Sequence, residues 1–260
     1  MTAPREHRVT HAFVTLAASL AGGEDPLALL ELLVEHCAEL LDVDSAGLLL
    51  ADRHDVLHVM AASTSQTRDL ELFQVQRGEG PCKDCYHGGH PVLVADLARA
   101  DGRWPSFAPA ARAAGFASVH AVPMRFSGHR LGALGLFSGR PGALGEADLQ
   151  LAQALADVSS ITLVQDRAAT DRDSLNAQLE GALQSRIVLE QAKGLLAQAG
   201  ELDMGAAFAV LRTFSRDRNA KLSDVARALV ARTLAASDVL ADVRSRHGDG
   251  KDARADRRRG

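Results

Sequence analysis

Apolar positions along the chain change their period from one segment to the next, and each change marks a change of element. Over residues 8–21 and 26–42 they recur at three- and four-residue steps, which predicts two helices. In the second, Leu27, Leu30, Leu33, Val34, Cys37 and Leu41 share one face. Pro26 stands in its first turn, where a missing N–H costs nothing. Ala46–Ala51 and Val56–Ala61 are short apolar runs separated by Asp52, Arg53, His54 and Asp55, the pattern of a β-hairpin. Residues 66–74 read as a short helix or loop, Pro91–Ala95 as another strand, and 98–115 as a polar, Pro-containing loop. Ala117–Phe126 and His129–Phe137 carry strong strand signals, with Ser127 and Gly128 as the tight turn between them.

The helical period returns from Gly145 to about Asp171, with Leu149, Ala152, Leu155, Ala156 and Val158 on it. It weakens through 166–174, a linker or a solvated stretch of one long helix. Three helices follow. The first, from Asp173 or Ser174 to Gln198, carries a stripe of Leu175, Leu179, Leu183, Ile187, Gln191 and Leu195 and ends at Gly200. The second runs from Asp203 to Arg218, with Ala207, Phe208, Leu211 and Phe214 inward and Asn219 as its stop. The third starts at Ser223 as N-cap, with Val225, Ala226, Leu229, Val230 and Leu234 inward. These faces leave Arg186, Lys193, Arg212, Arg216, Arg218, Lys221 and Arg227 pointing outward. The order predicts an α+β domain over 8–165 and an all-α domain over 166–236. Residues 237–260 are read as a basic, disordered tail.

Composition sharpens this only in places. Aromatics make up 4% of the 260 residues, so Leu, Val and Ala fill most of the core. The net charge of −4 is unevenly spread. Residues 1–173 hold 14 basic and 22 acidic side chains, a net of −8, whereas 174–236 and 237–260 are each at +2. The C-terminal third is thus the part able to approach a polyanion. Three cysteines, Cys37, Cys82 and Cys85, are too few for a disulfide framework. No signal peptide and no apolar run of membrane-spanning length is found, so the expectation is a reduced, cytoplasmic protein. No phosphate-cradling Gly loop with its Lys and no G-x-S-x-G elbow is present.

The stretch Ala182–Val230 resembles the ANTAR family in three ordered blocks: SRIVLEQAKG at Ser185–Gly194, AAFAVLR at Ala206–Arg212, and N-x-K-L-x-D-V-A at Asn219–Ala226. The resemblance implies a three-helix module that binds RNA hairpins and promotes transcription antitermination. The matching surface residues, carried over as the RNA-binding set, are Arg186, Lys193, Gly194, Arg212, Arg216, Asn219 and Lys221. Arg and Lys would hold phosphates while loop bases are splayed onto the protein. So mildly basic a domain implies weak affinity per copy, and hence a homodimer presenting two copies to paired hairpins.

Residues 8–165 resemble a GAF domain through GEGPC at Gly78–Cys82, the following Gly89, Pro91, Val92, Val94, Asp96 and Leu97, and LGALGLFS at Leu131–Ser138. The resemblance implies an antiparallel sheet with flanking helices and a small-molecule cavity. Its ligands range from cyclic nucleotides, haem and tetrapyrroles to metal centres and small anions, so the cofactor stays open. Cys82, Cys85 and Trp104 are the ligand or redox candidates. Cys82 and Cys85 are read chiefly as packing residues at a helix N-terminus, where the dipole would lower a thiol pKa. Cys82, Cys85, His87 and His90 are crowded too closely for the usual zinc spacing, and no metal is assigned. The regulator reading is not that of an enzyme. Its alternatives are a GAF domain doing thiol redox chemistry and a helical protein-interaction module.

Overall fold

The computed structural model describes residues 5–22, 26–142, 144–165, 172–218, 220–243 and 245. It divides into two compact units, Met1–Leu183 and Gln184–Gly260. The first is built on a five-stranded sheet in the order β2-β1-β5-β4-β3, with β1 at Ser45–Ala51, β2 at Leu57–Ala62, β3 at Val92–Val94, β4 at Ser118–Phe126 and β5 at His129–Ser138. Every pairing in it is antiparallel. One face is covered by helices α1 (Arg5–Gly22), α2 (Pro26–Leu40) and α6 (Glu146–Gln165), the other by α3 (Ser65–Arg77), α4 (Pro81–Gly88) and α5 (Phe107–Ala113). Burial on both faces explains why β1 reads as a continuous apolar run rather than an alternating one.

The sheet's alternation sorts the core into two clusters. Val122, Met124, Leu134 and Leu136 face α1, α2 and α6, while Val119, Ala121, Ala133 and Phe137 face α3, α4 and α5. At the β4–β5 turn Ser127 and Gly128 both take positive φ, 47° and 81°, as the tight hairpin turn requires. The α3–α4 connection depends on Gly80, whose φ of 139° is closed to other residues, so Pro81 can open α4.

Helix α5 corrects the reading of 98–115 as a loop. Its first-turn amides are served from a distance: the Glu79 carboxylate accepts from the Ser106 and Phe107 N–H groups, each at 2.6 Å. That cap lies 27 residues away in sequence and no local pattern announces it. Residues 66–74 fall within α3, which opens at Thr64, whose hydroxyl accepts from the Thr67 N–H.

The second unit holds the C-terminal part of α7 (Arg172–Gly200), α8 (Met204–Asp217), α9 (Leu222–Val230) and a further helix over 236–243. Asp203 caps α8 by accepting from the Ala206 N–H at 2.7 Å. Three expectations are corrected. Helix α9 has Lys221, not Ser223, at its N-cap. It ends at Val230, where Arg232 turns to a φ of 57° and the Thr233 N–H returns to the Ala228 carbonyl at 2.9 Å. The tail predicted from residue 237 begins in a helix, with Val239 and Leu240 buried. Asn219, residues 166–171 of the 166–174 linker and residues 246–260 lie outside the described residues.

Candidate functional site

On the α3–α4–α5 side of the sheet sits a polar cluster that the sequence pattern did not flag. Glu71 on α3 is fully buried, with Thr67 and Gln74 beside it on the same helix. Its Oε2 accepts from Gln74 Nε2 at 2.9 Å, and its Oε1 accepts from Cys82 Sγ at 3.3 Å. Gln74 in turn accepts the Cys82 backbone N–H at 3.0 Å. Ser45 and Thr67 hydroxyls meet 2.6 Å apart next to it. The sheet makes room through two glycines: a Cβ on Gly47 would lie 2.8 Å from Glu71 Cγ, and one on Gly135 2.5 Å from Glu71 Oε1 and 2.7 Å from Cys82 Sγ.

Burial sets the protonation of this cluster. Desolvation pushes Glu71 up to about 8, the Cys82 hydrogen bond opposing it. The Cys82 thiol is raised well above its ordinary value by the same desolvation and then by the Glu71 charge. With Glu71 ionised, both neighbours donate to it. With Glu71 protonated on Oε1, that O–H turns back to the Cys82 sulfur, a weak acceptor. Glu71 and Cys82 thus hold their protons as a pair.

The expected lowering of the thiol pKa at a helix N-terminus is therefore overruled by burial. Cys85 is also buried, and desolvation takes it to about 12. Both thiols point into the core, whereas His87 and His90 are exposed, so the four are not brought together. Among the described residues no group of three or more His, Cys, Asp or Glu is poised for a metal. Trp104 closes the same core at 2% exposure, and its indole N–H donates to Asp84 at 3.2 Å. The thiol-chemistry alternative needs an accessible thiolate, and these positions provide protonated, enclosed thiols.

In the second unit the buried face of α7 is rotated relative to the sequence reading. Leu189, Ala192 and Leu196 are buried, and with them Arg186 and Lys193 at 6% and 5% exposure. Both cations reach Glu190, at 2.8 Å and 3.1 Å. Lys193 also lies over the Phe208 ring, 5.4 Å from its centroid. From the predicted stripe Ile187 is 53% exposed and Gln191 is exposed, while Leu195 is half-buried; the side chains of Leu175, Leu179 and Leu183 lie outside the described ones. Gly194 has no atom within 4 Å of where a Cβ would stand. Arg212 and Arg216 on α8 and Lys221 at the start of α9 are exposed. Arg218 is engaged by Asp242 at 2.5 Å and stacks on Phe214.

Comparison with known proteins follows the same division. Residues 23–164 match the family model of the GAF domain, and residues 177–230 that of the ANTAR domain. Among solved structures, the GAF domain of a phosphoenolpyruvate-protein phosphotransferase from Acinetobacter is similar at a TM-score of 0.50 with 15% identity, covering 66% of this chain and 100% of that one. Free methionine-R-sulfoxide reductase from Neisseria meningitidis reaches a TM-score of 0.46 with 16% identity, over 71% of this chain and 96% of that one. The corresponding phosphotransferase GAF domain of Coxiella burnetii reaches 0.48 with 18% identity, over 62% and 96%. The Acinetobacter likeness, at this identity, speaks for the fold alone. Among curated proteins none matches the chain. No described helix is long and apolar enough to cross a membrane. The chain belongs to the GAF domain family, and after that domain it carries an ANTAR domain at residues 177–230.

Proposed function

We propose that this protein is a signal-responsive RNA-binding regulator acting in transcription antitermination. Residues 8–165 form the sensor and 166–236 the RNA-binding part. The observation that carries this is the ANTAR match over 177–230 together with the exposed cations Arg212, Arg216 and Lys221 within it. Exposed cations neutralise phosphates without paying for desolvation. Arg186 and Lys193, buried against Glu190, act on the fold of that unit rather than on RNA directly.

Affinity per copy is expected to be weak, so a homodimer offering two copies to paired hairpins is part of the proposal. The exposed Ile187 and Gln191 supply an uncovered stripe on α7 for such pairing. A signal in the first unit acts by favouring one of two states of the helices that follow it in sequence.

The test is binding of the full chain to a library of paired-hairpin RNAs as a function of salt. Arg212→Ala and Lys221→Ala should each weaken binding for all hairpins and reduce the salt slope by about 1, with the fold unchanged. No binding at any salt would put the helical protein-interaction reading first.

A further inference from the structure

On the α6 side of the sheet, opposite the Glu71 cluster, a cleft of about 280 Å³ opens beside the start of α6. Its floor is made by the ends of two strands. Ser118 on β4 and Ser138 on β5 are direct register partners, and His120 follows two residues along the same face as Ser118. Further along that face the residues are apolar, Val122 and Met124, so the polarity is local to the cleft. All three polar side chains are buried. Ser118 donates to the Arg140 carbonyl at 2.8 Å, and Ser138 accepts the Arg140 N–H at 3.2 Å, which fixes the loop forming one wall. His120 Nδ1 has no hydrogen-bond partner among the described residues. A buried nitrogen left without a partner is costly unless something supplies one.

Charges of both signs line the cleft: Asp42, Asp148 and Arg140. Asp148 is already held by Arg5 and by the Asp42 backbone N–H. Arg140 pairs with Asp42 at 2.6 Å, but the two side chains are 68% and 74% exposed. A pair this exposed is worth little and exchanges easily.

We propose that this cleft is a second small-molecule site, separate from any ligand of the α3–α4–α5 face, and that it takes a small zwitterion of the α-amino-acid class. Charge pairing selects the class. A zwitterion replaces the Asp42–Arg140 pair by two pairs, ammonium with Asp42 and carboxylate with Arg140. A simple amine leaves Arg140 without its partner, and a simple carboxylate leaves Asp42 without its own. The ammonium or a side-chain hydroxyl supplies the donor that His120 Nδ1 lacks; burial lowers the His120 pKa, opposed by a backbone hydrogen bond at Gly142, and so favours the neutral ring. The site lies beside the first turn of α6, the last helix before the α7 of the ANTAR domain.

The experiment is calorimetric titration of the full chain with glycine, L-alanine and L-serine, and with the truncated probes ethylamine and propionate. At least one zwitterion should bind, no less than tenfold tighter than either truncated probe. Arg140→Ala and Asp42→Ala, both at exposed side chains, should each weaken that binding at least tenfold with an unchanged melting temperature. The His120 ring ¹⁵N resonances should shift on binding in the parent. Failure of all three zwitterions to bind overturns the proposal. So does equal binding of the truncated probes, or binding that persists unchanged in Arg140→Ala, which would place the ligand elsewhere on the molecule.

Discussion

Cys82 on α4 donates its thiol to Glu71 on α3, Sγ to Oε1 3.3 Å, in an interior where neither side chain is exposed. A carboxyl and a thiol in such a place are held by enclosure rather than by solvent, and each limits what the other can do. The thiol cannot ionise beside a charge, and the carboxyl resists ionising without water.

This pair gives the protein a pH dependence. Glu71 has a folded pKa of about 8 against an ordinary value of 4.5, so the folded state holds a proton that the unfolded chain releases first. Its contribution to stability is full below about 4.5 and is lost as pH rises through about 8. Thermal melts from pH 5 to pH 9 should show the parent losing stability more steeply than Glu71→Gln. Equal slopes for the two would mean that Glu71 titrates normally.

The glycines of β5 should rank by what a methyl group would meet. On Gly132 it would run into the Leu49 backbone carbonyl, which cannot move without breaking the β1–β5 ladder. On Gly135 it would press on the Glu71 and Cys82 side chains. Gly102, in a turn outside the sheet, has nothing within 4 Å. Gly135→Ala should cost about 1–3 kcal/mol, Gly132→Ala more, and Gly102→Ala next to nothing in denaturant unfolding. A destabilised Gly102→Ala would show that the ranking is not steric.

Thiol accessibility checks the redox alternative. Cys37 and Cys85 are each raised to about 12, Cys82 well above its ordinary value, and all are buried. A thiol-specific disulfide reagent at pH 7.5 should label the native protein slowly and all three cysteines at once after denaturation. Rapid labelling of Cys82 in the native state would restore thiol chemistry as a candidate activity.

The two kinds of cation in the ANTAR domain should part company in mutation. Lys193→Ala removes a buried side chain bonded to Glu190 and stacked on Phe208, so it should lower stability by about 1–3 kcal/mol. Arg216→Ala, at an exposed position, should leave the melting temperature unchanged. Circular dichroism melts of the two variants decide the point. Equal stability would mean that the Lys193 burial is not maintained in solution.

The sequence by itself determined which segments are helix and which are strand through most of the chain. Those signals are local: the period of Leu27 to Leu41, the Ser127–Gly128 turn, the three ANTAR blocks. It also led to both domain families, because their motifs are short runs of neighbouring residues. Tertiary structure alone decided the rest. Helix α5 depends on a carboxylate 27 residues away. On α7 two neighbouring stripes, Ile187–Gln191–Leu195 and Leu189–Ala192–Leu196, are comparably apolar, and only packing chooses between them. That choice carried Arg186 and Lys193 from the surface to the interior. Glu71 and Gln74 read as ordinary polar helix residues, yet two sheet glycines distant in sequence admit them to the core. Period and capping are encoded within a few residues, whereas burial is a property of what a residue meets across the fold, and a linear pattern does not contain it.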